Sequence, residues 1–384
     1  MKNIVAFCGG RGSESFIKAW NLSQNNNLSL VINAYDDGLS TGRIRDYIPQ
    51  FLGPSDFRKN IVHYLYSCSD EFKLEIAKIL EKRIESKAEL IKILDNLEKK
   101  VTTPYVGRVY ASFIKSINEF LAYEKENVSD FDYSDCAFGN LILAGFYLQN
   151  DFDFQRAIDQ ALNIMEINCQ LLTASNENNI SLIATTTENE FLGKESLIVN
   201  GLYRGSINRL GFMNSDLLHS ENAFISGIKS EVEIRKILEK CIVPKPNSKA
   251  EKNIISSDIL CFLPGTQNSS LFPSYLILHK AIKESKASIK VLVLNLNRDL
   301  DMANWQRSDI LKNALKNMGD PNNQSRCITH VLINSPSIDS SLLDGPIIEL
   351  CKQLNILLIP TALLNAQQPN LHSGEILLST ILSL

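Results

Sequence analysis

The chain has 384 residues, of which 44% are hydrophobic, so it can bury a large core and is not a disordered chain. Its 39 basic and 43 acidic residues nearly balance, which excludes a general electrostatic attraction to nucleic acid or to anionic membranes. No apolar run is long enough for a signal peptide or a membrane span, and the 8 scattered cysteines form no C-x-x-C pair. These features favour a reduced, cytoplasmic protein.

The chain opens with a strand that ends in a glycine-rich loop. Residues 4–12 read IVAFCGGRG, and residues 13–20 can form a helix directly after them. Gly9, Gly10 and Gly12 allow a ligand to come close to backbone N–H groups. A strand, a glycine loop and a helix N-terminus together favour a phosphate site. The fingerprint G-x-G-x-x-G is not met, however, and the alternative is a tight connection between strand and helix that binds nothing.

A second predicted strand, residues 28–35, leads into a loop with two adjacent carboxylates. Residues 36–43 read DDGLSTGR. An acidic residue about 20 positions after a glycine loop holds a ribose hydroxyl in dinucleotide folds. Asp36 and Asp37 beside a Ser-Thr-Gly-Arg run suit Mg²⁺ and its phosphates better, because a hard cation takes carboxylate oxygen and keeps its waters. The alternative is a solvated turn with an aspartate helix cap.

The next segments predict a turn followed by helices. Residues 53–58 (GPSDFR) favour a turn in which Asp56 and Arg58 form an ion pair. Apolar residues at three- and four-residue spacing predict a helical pair over residues 70–100, with Ser86 and Glu89 as a capping box. Another helix follows Pro104.

Three parts of the chain are distinguished on this basis. Residues 1–64 form the first part of a phosphate-binding α/β core, 65–130 a helical insertion, and 131–384 the remainder of the core.

The middle of the chain is less regular. Residues 135–149 (DCAFGNLILAGFYLQ) predict an apolar helix, near whose start Asn140 either presents an amide to a ligand or caps the helix, capping being the simpler interpretation. Residues 152–168 predict an amphipathic helix and residues 181–186 a third strand of the same sheet. Residues 200–219 are too polar and glycine-broken to assign.

The C-terminal half repeats the opening pattern. Residues 254–264 predict a strand, and residues 265–270 (GTQNSS) form a loop of small and hydroxyl residues before a helix. Further strands are predicted at 290–296, 330–334 and 356–360, and a final helix at 374–384. Short apolar strands that alternate with helices predict an α/β fold: a doubly wound, mostly parallel, Rossmann-like sheet with a helical insertion. Ligands of such sheets bind beyond the carboxyl ends of the strands, where these loops fall.

Taken together, the loops resemble the motifs of the CofD/YvcK family, which groups 2-phospho-L-lactate transferases of deazaflavin coenzyme synthesis with bacterial gluconeogenesis-factor-like proteins. The matching segments are residues 8–12 (CGGRG, for G-G-G-T-G), 35–45 (YDDGLSTGRIR, for A-D-D-G-G-S-S-G-R-L-R), 53–59 (GPSDFRK, for P-P-G-D-I-R-N), 139–145 (GNLILAG, for G-N-L-x-L-A-A) and 264–274 (PGTQNSSLFPS, for G-P-G-S-L-Y-T-S-I-x-P-N). The chain departs from the family at Arg11, where a small hydroxyl residue is usual, and at Cys136 and Ile310, where histidines are usual.

The resemblance implies a Mg²⁺-assisted transferase of a phosphorus-containing group, whose ligand is a nucleotide-activated, phosphorylated small molecule. It implies that Asp36 and Asp37 hold the metal and act in catalysis together with Asp56. The residues implied in binding the nucleotide and its phosphates are Gly9, Gly10, Gly12, Ser40, Thr41, Gly42, Arg43, Arg58, Asn140, Gly265, Thr266, Ser269 and Ser270.

A second hypothesis belongs to another functional class. The same loops suit a non-catalytic, YvcK-like regulator that binds a UDP-sugar, because diphosphate recognition does not distinguish a substrate from an effector. A degenerate scaffold whose loops only pack is a third possibility. The helices of residues 70–100 are one candidate for a homodimer interface, although their charge pattern equally suits solvent.

Overall fold

The structure, a computed structural model, describes the chain apart from residues 24, 101–102, 128, 298, 303–304, 336–344 and 369. Its strands are β1 (Asn3–Cys8), β2 (Asn27–Ile32), β3 (Arg83–Ile84), β4 (Cys136–Ala137), β5 (Gln170–Thr173), β6 (Ile180–Thr186), β7 (Glu190–Leu192), β8 (Ile207–Asn214), β9 (Gly227–Ile228), β10 (Ile259–Phe262), β11 (Ile289–Val293), β12 (His330–Asn334) and β13 (Leu357–Thr361).

Its helices are α1 (Glu14–Ser23), α2 (Leu39–Tyr47), α3 (Ser55–Tyr66), α4 (Glu71–Glu81), α5 (Lys87–Lys99), α6 (Pro104–Glu126), α7 (Phe138–Gln149), α8 (Phe154–Ile164), α9 (Glu195–Val199), α10 (Ser215–Ser220), α11 (Glu231–Glu239), α12 (Ser248–Ile255), α13 (Phe272–Glu284), α14 (Arg307–Asn317), α15 (Gly345–Gln353) and α16 (Gly374–Ser383). A π-helical turn, Gln267–Leu271, precedes α13.

The central sheet has seven strands in the order β13-β12-β11-β10-β1-β2-β5, and all of its pairs are parallel. Its inner strands are almost fully apolar and buried, as expected when helices cover both faces. From β1 the chain builds outward to β2 and β5, then returns to β10 on the other side of β1 and builds the opposite way. The predicted doubly wound α/β fold is therefore confirmed, and its topological switch point lies between β1 and β10.

A second sheet was not expected from the sequence. It has four antiparallel strands in the order β8-β6-β7-β9. The prediction that residues 181–186 form the third strand of the parallel sheet is wrong, because β6 belongs to this second sheet. The third parallel strand is β5, whose four residues are too few to give a clear pattern, and the unassigned residues 200–219 contain β8.

The helical stretch between the first loops and α7 consists of α4, α5 and α6. Its capping box forms only in part: Ser86 Oγ accepts from Glu89 N at 3.3 Å, whereas the Glu89 carboxylate accepts from Glu85 N. The turn predicted over residues 53–58 is wrong from Ser55 onward, since α3 begins there after Pro54.

One hydrophobic core joins the central sheet to these helices. Among the described residues no helix is both long and apolar enough to cross a membrane. The cytoplasmic location and the homodimer stay predictions.

Candidate functional site

A cavity of about 350 Å³ opens at the carboxyl ends of β1, β2, β10 and β11, where the strand order reverses. The predicted site residues in its wall are Gly9, Gly10, Gly12, Asp36, Asp56, Gly265, Thr266, Ser269 and Ser270. These residues come from the loops after β1, β2 and β10 and from the first turn of α3, which are far apart in the sequence. The fold thus brings together most of the motifs that the sequence analysis singled out.

The glycine loop after β1 fits closely against both neighbours. A Cβ at Gly12 would lie 1.8 Å from the Pro264 carbonyl oxygen, and a Cβ at Gly10 would lie 2.3 Å from Asp56 Oδ1. Helix α3 holds the loop, because Asn60 Nδ2 donates to the Gly9 carbonyl at 3.0 Å and His63 Nε2 to the Gly10 carbonyl at 2.7 Å. With these carbonyl oxygens occupied, N–H donors are what the loop offers a ligand.

The wall beyond β2 is rich in carboxylates. Asp36 Oδ1 accepts from Gly38 N at 2.9 Å, while Asp56 Oδ1 pairs with Lys59 Nζ at 3.0 Å. Burial, and then the nearby Asp56 carboxylate, raises the pKa of Asp36. Burial, and then Asp36 and Asp37, raises the pKa of Glu195 well above its usual range. At this end of the cavity three carboxyl groups thus face one lysine, and a cation bound there would stabilise their ionised forms.

Asp37 does not line this cavity. Its carboxylate accepts from Ser196 N at 2.7 Å and from Glu195 N at 3.2 Å, which are the first residues of α9. It lies in the wall of a neighbouring cavity of about 780 Å³, as does Gly42. Asp37 thus fixes α9, and with it Glu195, beside the site, so its predicted role as a metal ligand gains no support.

Four polar side chains from three of the motifs form a largely buried network behind Asp36. Asn140 Nδ2 donates to Ser40 Oγ at 3.0 Å and to Ser55 Oγ at 3.2 Å. Ser55 Oγ is 2.5 Å from Thr41 Oγ1, which also lies 3.3 Å from Asp36 Oδ2. The capping interpretation of Asn140 is therefore wrong: α7 has no side-chain cap, and the amide instead joins α7 to the first turns of α2 and α3.

The two predicted phosphate-binding arginines lie outside the cavity wall. Arg43 Nη1 donates to Asp132 and to Ser134 Oγ, at 3.0 and 2.6 Å. Arg58 is only 6% exposed and packs against Gly139, where a Cβ would lie 2.9 Å from its Cδ. The expected Asp56–Arg58 ion pair is wrong, because the partner of Asp56 is Lys59, one helical turn along α3.

The guanidinium of Arg58 is thereby left in an unusual state. Its Nε meets no hydrogen-bond partner in the part of the chain that the structure describes. Burial, and then the charge of Arg83, lowers the pKa of Arg58.

The loop after β10 is fixed by residues that follow β11. Asn295 Oδ1 accepts from Gly265 N at 3.0 Å and its amide donates to the Gly265 carbonyl at 2.9 Å. Asp301 Oδ2 accepts from Asn268 N at 2.8 Å, and burial is the main cause that raises the pKa of Asp301 to about 7. Asn33, which directly follows β2, donates through Nδ2 to the Ser269 carbonyl at 2.9 Å and so ties the loop after β10 to β2.

The sequence analysis missed five residues that shape the site. They are Lys59, Glu195, Asn295, Asp301 and His372. Of these, Lys59 could have been found from the sequence, because it ends the motif of residues 53–59 and lies three positions after Asp56, a spacing that pairs opposite charges on a helix. Glu195 and His372 follow no strand-and-loop pattern, so only the fold brings them to the cavity.

Comparison with known proteins gives a consistent result. The family model described as 2-phospho-L-lactate transferase CofD matches residues 4–355. The crystal structure of a member of the UPF0052 family from Bacillus halodurans is similar over 100% of both chains, with a TM-score of 0.69 and 19% identity. A second crystal structure of that protein gives a TM-score of 0.68 at 19% identity over 99% of each chain. No curated protein sequence matches the chain at a significant level.

Proposed function

This chain belongs to the family of the 2-phospho-L-lactate transferase CofD, and from that membership we propose that it transfers a phosphorus-containing group from a nucleotide-activated ligand to an acceptor hydroxyl. In this step a bond forms between phosphorus and the acceptor oxygen, the bond between phosphorus and the nucleotide breaks, and the nucleotide leaves while the hydroxyl gives up its proton. Family membership supports a phospholactate-transferase-like function and a small phosphorylated ligand. The single observation that carries the finer proposal is that loops and helix starts far apart in the sequence form one cavity at the switch point, with glycine N–H groups, a lysine and carboxylates in its wall.

Transfer of such a group depends on positioning and on neutralising charge more than on a covalent nucleophile. In this proposal the Gly9–Gly12 loop and the N-terminus of α1 bind a phosphate through N–H donors. Lys59 lies beside them and contributes a positive charge that Asp56 holds in place. Ser269 and Ser270 line the cavity next to the glycine loop, where a Cβ at Gly9 would lie 3.3 Å from Ser270 Oγ, and they bind the diphosphate together with that loop.

Mg²⁺ fits this proposal through Asp36 and Asp56. Both carboxylates line the cavity, and burial and the nearby Asp56 raise the pKa of Asp36. Such a rise is expected of a buried acid that has no cation beside it. No three His, Cys, Asp or Glu side chains converge as a metal site in the described part of the chain. Mg²⁺ does not require such a cage, because it is commonly held by one or two carboxylates, waters and substrate phosphates. When bound, it would supply charge neutralisation at the phosphate.

The first experiment is a thermal-shift series with GDP, GMP, UDP, UDP-N-acetylglucosamine and UDP-glucose, each with Mg²⁺ and with EDTA. We expect a Mg²⁺-dependent rise in Tm with a nucleotide or its conjugate. In Asp36→Asn this rise should fall to the level seen with EDTA, while the Tm without ligand stays the same or rises. The control is Asp159→Asn, which removes a carboxylate from a surface ion pair with Lys249.

The outcome also decides between the transferase and the regulator. A Mg²⁺-dependent rise in Tm that occurs only with nucleotides, and that is lost in Asp36→Asn, supports the transferase. The search would then turn to acceptors. A metal-independent rise confined to UDP-sugars contradicts it and supports the YvcK-like regulator. Loss of binding in the Asp159→Asn control would show that the assay reports general stability.

A further inference from the structure

The two ends of the cavity differ in chemistry. Toward β2 the wall is charged, with Asp36, Asp56, Lys59 and Glu195. Toward β11 and the C-terminal segment it is formed largely by uncharged polar groups. Those groups are the side chains of Asn295, Asn297, Asn370 and His372; Leu296, Leu371 and one carboxylate, Asp299, whose Oδ2 accepts from Asn295 Nδ2 at 2.8 Å, lie beside them. A ligand with one charged and one uncharged polar end would match this arrangement.

The hydrogen bond of His372 fixes its protonation. The residue is 6% exposed, and its Nε2 lies 3.2 Å from the carbonyl oxygen of Leu294. A carbonyl oxygen only accepts, so Nε2 must carry the proton. Burial lowers the pKa of His372, which keeps the ring neutral near pH 7. Nδ1 is therefore a bare acceptor.

This acceptor is open to a ligand. Within the described residues, no donor lies within hydrogen-bonding distance of Nδ1. These residues also do not fully enclose the nitrogen. Since His372 lines the cavity, the free nitrogen is available to a molecule that enters it.

The backbone on both sides of the His372 ring is also held in place. His372 forms an antiparallel bridge with Leu364, and Ser373 N donates to the Leu363 carbonyl at 2.6 Å. Gly374 begins α16 so close to α1 that a Cβ there would lie 1.8 Å from the Ser15 carbonyl oxygen. The C-terminal segment is thus fastened to the helix that follows the glycine loop. It lies beyond residue 355, where the family match ends.

We propose that Nδ1 of His372 accepts a hydrogen bond from an uncharged N–H or O–H donor of the ligand, so that residues 370–372 form the subsite for its nucleoside part. This inference rests on the proposed function, because it requires a nucleotide in the cavity. A fully ionised phosphate offers only acceptor oxygens and is rejected by a neutral ring whose free nitrogen is itself an acceptor. The phosphates therefore lie at the glycine loop and Lys59, and the nucleoside lies against the C-terminal segment.

The test compares a nucleoside diphosphate with inorganic pyrophosphate, which has the charge but lacks the uncharged donors. GDP, UDP and pyrophosphate are titrated calorimetrically, with Mg²⁺, into the wild-type protein, His372→Phe and His372→Asn. Phenylalanine keeps the ring volume without the acceptor, whereas the Asn side-chain oxygen occupies a position similar to that of Nδ1. We expect His372→Phe to weaken the nucleotide about tenfold and His372→Asn by less than about threefold, with pyrophosphate unchanged.

Nitrogen-15 NMR of the imidazole adds a readout that a purely structural role would not move. In the wild type, the nucleotide should shift the Nδ1 resonance away from that of a free lone pair, and pyrophosphate should not. Equal weakening of nucleotide and pyrophosphate in His372→Phe, or an unchanged nucleotide affinity, would overturn the inference. If the wild type binds neither GDP, UDP nor pyrophosphate, it is the proposed function that fails.

Discussion

The two sides of the switch point use buried carboxylates differently. After β2, Asp36 shares the cavity wall with Asp56 and Glu195, and its charge is incompletely balanced. After β11, Asp301 accepts the backbone N–H of Asn268 and holds the loop that follows β10. In both, burial is the main cause that raises the pKa. A raised pKa thus does not by itself mark a functional group; what distinguishes Asp36 is that it faces an open cavity.

The largest expected effect separates these two aspartates by stability. Asp301→Ala leaves the buried N–H of Asn268 without an acceptor and should lower the free energy of unfolding by about 2 kcal/mol. Asp301→Asn keeps one acceptor oxygen and should cost less. Asp36→Asn removes a repelling charge and should not destabilise the protein. Urea unfolding of the three variants measures this, and a loss in Asp36→Asn as large as in Asp301→Ala would erase the distinction.

The pH dependence sharpens the same comparison. The pKa of Asp301 rises from an ordinary value of 3.8 to about 7, so the folded state binds the proton more tightly than the unfolded chain. The free energy of unfolding should therefore fall as the pH rises from about 4 to about 7. Asp36 and Glu195 contribute with the same sign. Unfolding curves at pH 5 and pH 7.5 should show a smaller difference in Asp301→Asn; an unchanged difference would assign the effect to the cavity carboxylates.

Mg²⁺ with a nucleotide distinguishes the two contributions further. Binding at Asp36 and Asp56 should reduce the part of the pH dependence that comes from the cavity, because a cation stabilises ionised carboxylates. The part that comes from Asp301 should remain, since that carboxylate is already bonded to the loop.

How much of this was predictable depends on the range of the interactions. The loops after β1, β2 and β10 could be predicted because each follows directly from a local strand-and-turn pattern. The sequence could not show that Asp36 faces the cavity while Asp37 faces away from it. That difference depends on the N–H groups of α9, which bind Asp37 from some 158 residues further along the chain. Asn140 illustrates the same limit: its sequence position suggests a cap, whereas its partners are Ser40 and Ser55. The second sheet was missed because β7 and β9 are too short to show a period.

Arg58 lies in α3 outside the cavity wall and tests a buried charge of the opposite sign. Its buried guanidinium has an Nε without a partner among the described residues, a state that costs stability. Arg58→Met keeps the aliphatic contact with Gly139 and should raise the free energy of unfolding by about 1 kcal/mol. A lower stability in Arg58→Met than in wild type would mean that the guanidinium is already compensated.

The smallest expected effect concerns Arg43, which the family resemblance implied in phosphate binding. Its guanidinium pairs with an Asp132 carboxylate that is 64% exposed, and such surface pairs contribute at most about 1 kcal/mol. Arg43→Ala should therefore change both stability and nucleotide affinity little, whereas a charge-assisted hydrogen bond to phosphate would cost about 1.5–3 kcal/mol in binding. Calorimetric titration of the nucleotide bound by the wild type decides between the two values. A weakening of tenfold or more would mean that Arg43 leaves Asp132 to reach the ligand, and that the binding surface extends from the cavity toward the helices of residues 65–130.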